Sequence, residues 1–182
     1  MKSLPSARTY GAWLAIVRIL TGVIWLAHGI PKFTHSADFM PPNGMIATFL
    51  SQAMQKADPW YQGFLTSVVQ PNIALFAEAV RLGEVLVGIS LVLGLLTRLG
   101  GLFGVFLSLN YLAAKGHMFS SAALQTPEFA VFILSLTSLV MPTGRVLGAD
   151  AIFTRRAPAI PTVRAEFVPE PPQQGPSAPP PV

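Results

Sequence analysis

Four apolar stretches constrain this chain more than any other feature, because each approaches the roughly 20 residues that a helix needs to cross a hydrocarbon core of ~30 Å. Of 182 residues, 52% are hydrophobic and 11% charged, where a soluble domain carries about a quarter charged. In lipid, backbone polar groups must be satisfied within the chain, and a helix does this residue by residue. The expected fold is all-α integral membrane: a four-transmembrane-helix antiparallel bundle with a long outer loop containing an amphipathic helix. The bundle would occupy 1–156 as one domain. Residues 157–182, with nine of the 17 prolines, would form a disordered proline-rich cytoplasmic tail.

The first span is expected from about Tyr10 to Ile30. Lys2 and Arg8 precede it as in a signal peptide, but Arg18 interrupts it and no small-residue cleavage site follows, so it should stay as a helix. From Pro31 to Asn72 the chain is punctuated by Pro31, Pro41, Pro42, Pro59 and Pro71 and cannot be one helix. Within it Met45, Ile46, Phe49, Leu50 and Ala53 recur at helical spacing, and Trp60, Tyr61 and Phe64 follow. This reads as a short amphipathic helix and an aromatic anchor on the membrane surface, with an ordinary ordered loop as the plainer alternative. Ile73 to Leu96 forms the second span. The third begins at once near Leu99, an antiparallel hairpin, and ends near Lys115-Gly116. The fourth runs from Glu128 to Met141, extending toward Val146.

Charge orients the bundle. Inner segments would hold Lys2, Arg8, Arg98, Arg145, Arg155, Arg156 and Arg164, against Lys32, Lys56 and Lys115 outside, which follows the positive-inside rule. The expected location is the cell inner (cytoplasmic) membrane, multi-pass, with both termini cytoplasmic. The net charge of +4 is therefore topological, and no nucleic acid partner is implied. With no cysteine, the chain has no disulfide, no thiolate-ligated iron–sulfur cluster and no thiol chemistry of its own.

Ionisable groups inside a membrane are costly and tend to pair or to work. Arg18, Thr21, Gly22, Trp25, His28, Gly29 and Lys32 step by three and four along one face of the first helix. Glu78, Arg81, Glu84 and Gly88 share a face of the second, with the arginine three residues from each carboxylate. Counting ~1.5 Å per residue from the inner ends places Arg18 about 16 Å deep, Glu84 about 20 Å, and His28 and Glu78 near 30 Å. Asn110 falls level with Glu84, and Lys115 near His28. A polar cleft opening outward is expected. Its catalytic candidates are Glu84, Arg81 and Glu78, and Arg18, Trp25, His28, Lys32, Asn110 and Lys115 would line the substrate or quinone side; no metal site is expected. The alternatives remain open: Arg18 with Glu84 and Arg81 with Glu78 as ion pairs that only register the helices, His28 with His117 as haem ligands, and Lys115, His117 and Glu128 as wet surface groups. Gly100 and Gly104 form a small-xxx-small pair that permits close helix contact.

The stretch NIALFAEAVRLGEVLVGISLVLGLLTRLGGLFGVFLSLNYL (72–112), with RILTGVIWLAHGIPKF on the first helix and GRVLGADAIF after the fourth, resembles the DoxX/DoxD family. It looks closest to the DoxD-type small subunit of thiosulfate:quinone oxidoreductase, over roughly 10–155. That resemblance implies a membrane subunit of a quinone-linked redox complex. Electrons from thiosulfate, oxidised to tetrathionate at the outer face, would pass to membrane quinone. The quinone would be a substrate, with no tightly bound cofactor, and a second redox subunit and membrane lipid would be the partners; a homo-oligomer stays open. The alternative is a non-catalytic membrane scaffold or assembly protein anchoring a soluble redox partner. A solute pathway is disfavoured, since four helices leave little lumen and no inverted repeat is evident.

Overall fold

The computed structural model describes residues 7–141, 143–145 and 147–154. Every regular element among them is helical: α1 (Ala7–Thr34), α2 (Ser36–Phe39), α3 (Met45–Lys56), α4 (Pro59–Phe64), α5 (Ile73–Leu93), α6 (Thr97–Ala114), α7 (Pro127–Val140) and α8 (Asp150–Thr154). A π turn over Leu65–Val69 and a 3-10 turn over Gln70–Asn72 join α4 to α5 with the backbone still winding. The expected proline-rich tail lies outside the described residues.

The four long helices pack as a ring. α1 lies along α5 and α6 along α7, while the α5–α6 hairpin and an α1–α7 contact close it. Glycines set the closest approaches. A Cβ at Gly22 would come 2.8 Å from the Gly88 carbonyl oxygen, and one at Gly88 would come 2.6 Å from Leu26 Cγ. A Cβ at Gly101 would meet the Leu139 backbone nitrogen at 2.6 Å, and one at Gly104 would meet Ser135 Oγ at 2.7 Å. These contacts run α1 antiparallel to α5 and α6 antiparallel to α7. Gly100 instead faces Ser90 of α5, so the two glycines of the small-xxx-small pair serve different neighbours.

Two expectations about α1 are corrected. It does not stop at Ile30 but continues through Pro31 to Thr34. A proline lacks one donor, and here the loss falls near the helix end, where the Pro31 carbonyl still accepts from His35 N at 2.9 Å. Nor do the ends of α1 and α5 lie level. Gly22 sits against Gly88 and Val92, Gly29 against Glu84 and Val85, and the Arg18 guanidinium against Gly94. The first turns of α1 therefore project about 16 Å beyond the hairpin, and Arg18 lies at the hairpin end rather than beside Glu84.

At that end the chain turns within three residues. Gly94 ends α5 in the left-handed region at φ 67° and Leu96 follows at φ 52°. The segment before α8 docks on this turn: Ala149 N donates to Leu93 O at 3.1 Å and Asp150 N to Gly94 O at 2.9 Å. The Asp150 carboxylate accepts from Leu96 N at 2.7 Å, Thr97 N at 3.1 Å and Thr97 Oγ1 at 2.7 Å. One segment thus satisfies orphan carbonyls of α5 and orphan amides of α6. Burial pushes the Asp150 carboxyl up, but those hydrogen bonds and the Arg18 charge outweigh it, leaving its pKa below the ordinary aspartate value.

At the opposite, loop end, the expected amphipathic helix is α3. Part of its apolar face is buried within the protein: Leu50 and Ala53, with Ala57 just beyond the helix, form a core with Tyr61, Leu65 and Ala113, which caps α6, while Met45 and Phe49 stay half exposed. Of the aromatic group, Trp60 is exposed and Tyr61 buried.

Candidate functional site

Glu84 is the residue around which the loop half of the bundle is arranged. It lies on α5, 1% exposed, facing the point where Gly29 lets α1 come close; a Cβ there would stand 3.0 Å from Glu84 Cβ. Helical side chains lean toward their own amino terminus. In an antiparallel pair, Lys32 therefore leans down α1 while Glu84 leans up α5, and the two converge. Lys32 Nζ donates to both Glu84 oxygens at 2.5 Å, and the Tyr111 hydroxyl on α6 donates to Glu84 Oε1. The ammonium also stands 5.3 Å from the Phe39 ring centroid and 5.9 Å from that of Tyr111. A buried carboxylate needs such partners, since desolvation without them costs several kcal/mol.

This cluster forms part of the wall of a cavity of about 1670 Å³. The wall runs from buried Trp25 and Ser108, past Glu84 and Tyr111, to Lys115 and Glu128 at the loop end, and sideways to exposed Phe103 and Phe106. Trp25 Nε1 donates to Ser135 Oγ at 3.1 Å. His28 Nδ1 donates to Ile24 O at 2.8 Å, within its own helix. Lys115 Nζ meets Glu128 Oε1 at 2.5 Å. Asn110 accepts from the Tyr61 hydroxyl at 2.9 Å. Ser108 Oγ, by contrast, is buried and has no hydrogen-bond partner among the described residues. No group of three or more His, Asp or Glu among those residues could hold a metal ion.

The sequence-derived candidates thus divide. Glu84, Trp25, His28, Lys32, Asn110 and Lys115 all line the cavity. Arg81 and Glu78 pair with each other, the Arg81 Nε–Glu78 Oε2 distance being 2.7 Å, with Arg81 4.5 Å from the Phe33 ring. They lie outside the cavity wall. The expected Arg81–Glu84 pairing is replaced by Lys32–Glu84, because the extra turn of α1 beyond Pro31 supplies a nearer cation. Arg18, also expected beside Glu84, is fully buried elsewhere, with Nη1 donating to Thr143 O at 2.9 Å and Nη2 to Leu147 O at 2.8 Å. Arg18 is thereby separated from Glu84 and Asn110, and Glu78 from His28 and Lys115, while Glu84, Asn110, His28 and Lys115 share the cavity wall. Sequence reasoning passed over Tyr111 for its neighbour Asn110, although Gly104, Ser108, Tyr111 and Lys115 step by four, three and four along one face.

The DoxX family matches residues 13–114, more than half of the chain. The chain belongs to the DoxX family. The match spans α1 through α6 and so takes in Lys32, Glu84 and Tyr111. DoxX proteins are membrane-associated, with generally redox or quinone-linked functions, and nothing in the match carries the narrower DoxD likeness. Residues 9–34 of α1 are long and apolar enough to cross a membrane. No curated protein and no solved structure matches this DoxX chain.

Proposed function

We propose that this DoxX protein is the quinone-handling membrane subunit of a redox complex, and the observation that carries the reading is the buried Lys32–Glu84–Tyr111 cluster on the wall of a largely apolar cavity. A quinone needs hydrogen-bond donors at its ring oxygens and two protons for every two electrons. Lys32 and Tyr111 are donors, Glu84 can hold a proton, and the otherwise unpartnered Ser108 hydroxyl adds another donor on the same wall. Apolar walls with a few convergent polar groups are what a lipid-soluble ring requires.

In this reading the electrons come from a second redox subunit; without cysteine, the chain offers no thiolate redox centre of its own. With thiosulfate as donor, two thiosulfate ions each lose one electron and join through a new S–S bond as tetrathionate, and the two electrons with two protons reduce quinone to quinol. α1, α5, α6 and α7 would span the inner membrane with both termini cytoplasmic and the loop end outside, in keeping with the positive-inside charge distribution.

The test is thiosulfate-dependent quinone reduction by the purified protein with its partner subunit. Glu84→Gln should cut turnover at least tenfold while the complex still assembles. Quinone reduction driven by another donor would retain the subunit and replace the thiosulfate. Unchanged turnover in an assembled Glu84→Gln complex would leave the chain as a non-catalytic scaffold.

A further inference from the structure

The cavity that holds the polar cluster does not end inside the bundle. Its lining passes from Glu84 and Tyr111 across Gly83 and Leu107 to the exposed residues Leu86, Ile89, Phe103 and Phe106 on the outer side of α5 and α6. Two further observations concern this seam. α5 and α6 contact one another less extensively than α1 does α5 or α6 does α7. Gly83 also leaves room at the crossing: a Cβ there would meet Leu107 Cδ1 at 3.4 Å, ordinary contact, whereas Cβ atoms at Gly22, Gly88 and Gly101 would collide with neighbouring helices. Glycine is thus required for packing at those three positions and not at Gly83, where its effect is to leave the seam thin.

A polar cluster inside joined to an apolar groove outside matches a ligand with one polar end and one apolar end. Resting on the quinone reading above, we propose that the isoprenoid tail of the quinone leaves the cluster sideways between Gly83 and Leu107 and lies in the groove of Leu86, Ile89, Phe103 and Phe106. The α5–α6 seam is then a lateral portal to the lipid, and the occupant of the groove is that tail. Exchange of quinone and quinol occurs within the bilayer, with no passage through the loop end. Affinity must in consequence grow with tail length, because each buried methylene adds apolar contact.

The experiment uses the full chain in nanodiscs and compares a ring-only quinone, its decyl analogue, and analogues carrying a photoactivatable azide on the ring or at the tail end. The decyl compound should bind at least tenfold more tightly than the ring alone after correction for lipid partitioning. Gly83→Leu, which thickens the seam, should remove most of that advantage and leave ring affinity within about twofold. The tail azide should label the peptides of Leu86–Ile89 and Phe103–Phe106, and the ring azide Tyr111. This mapping needs only the parent protein, so it decides even if Gly83→Leu does not fold. Ring binding without a tail-length effect, or tail labelling in the α3–α4 loop region, overturns the portal and leaves the quinone reading standing. No binding of any quinone overturns both.

Discussion

Single residues separate the two ion pairs of α5. Among the described residues, Lys32 is the only cation hydrogen-bonded to a carboxylate that is nearly inaccessible, whereas Arg81 pairs with a Glu78 side chain that is half exposed. Lys32→Met should therefore destabilise the protein by about 3 kcal/mol by leaving Glu84 uncompensated, and the double variant Lys32→Met with Glu84→Gln should regain much of that loss. Arg81→Leu should cost less than about 1 kcal/mol. Thermal unfolding in detergent checks all three, and equal losses for Lys32→Met and Arg81→Leu would contradict the burial difference. That Glu84 is buried and paired was legible from its setting in an apolar run. Its partner was not, because Arg81 and Arg18 were nearer in sequence or in counted depth, and only the continuation of α1 past Pro31 brings Lys32 within reach.

Asp150 offers a pH-dependent counterpart outside the four long helices. Its carboxyl titrates lower in the folded protein than in the unfolded chain, so its contribution is present above the unfolded pKa of about 4 and is lost as pH falls through the lower folded value. Asp150→Asn should cost about 1 kcal/mol at neutral pH, since the amide keeps one acceptor oxygen but loses the second acceptor and the charge that strengthens these hydrogen bonds. The gap between variant and parent should close as the pH falls through and below 4. A pH-independent gap in unfolding midpoint would mean that the carboxylate charge is not what matters.

Among the elements, the glycines predict opposite signs for one substitution. Gly88→Ala would drive a methyl group into Leu26 across the α1–α5 contact, while Gly63 on α4 has open space around it. Gly88→Ala should therefore destabilise by about 1–3 kcal/mol, and Gly63→Ala should stabilise by up to about 1 kcal/mol, the helix-propensity difference. Melting of the two variants beside the parent gives the comparison. Most element positions could be read from apolar run lengths: α5, α6, α7 and α3 stand close to where expected, although the hairpin turns at Gly94–Leu96, ahead of the expected junction between Leu96 and Leu99. The offset of α1 against α5 could not, since it is set by which glycines meet across the interface, and apolar periodicity does not encode that. α8 and its docking on the hairpin were equally hidden, because backbone carbonyls and amides do most of the recognising.

For the molecule as a whole, the proposed topology predicts that a reporter fused after Arg156 behaves as cytoplasmic and one inserted near Lys56 as external; a cytoplasmic signal from the Lys56 site would overturn the four-span arrangement. That arrangement sets helices of unequal length side by side. α1 has 28 residues and α7 has 14, or about 42 Å and 21 Å at 1.5 Å per residue. A hydrocarbon layer of ~30 Å cannot match both. If α7 spans the bilayer as proposed, the lipid beside it would have to thin or tilt its chains, at a fraction of a kcal/mol per Å of mismatch. The protein should accordingly unfold at higher temperature in bilayers of short-chain than of long-chain phosphatidylcholine. In a membrane of uneven thickness a protein with that topology should collect in the thin regions, so that the short α7 would help to decide where in the membrane it resides.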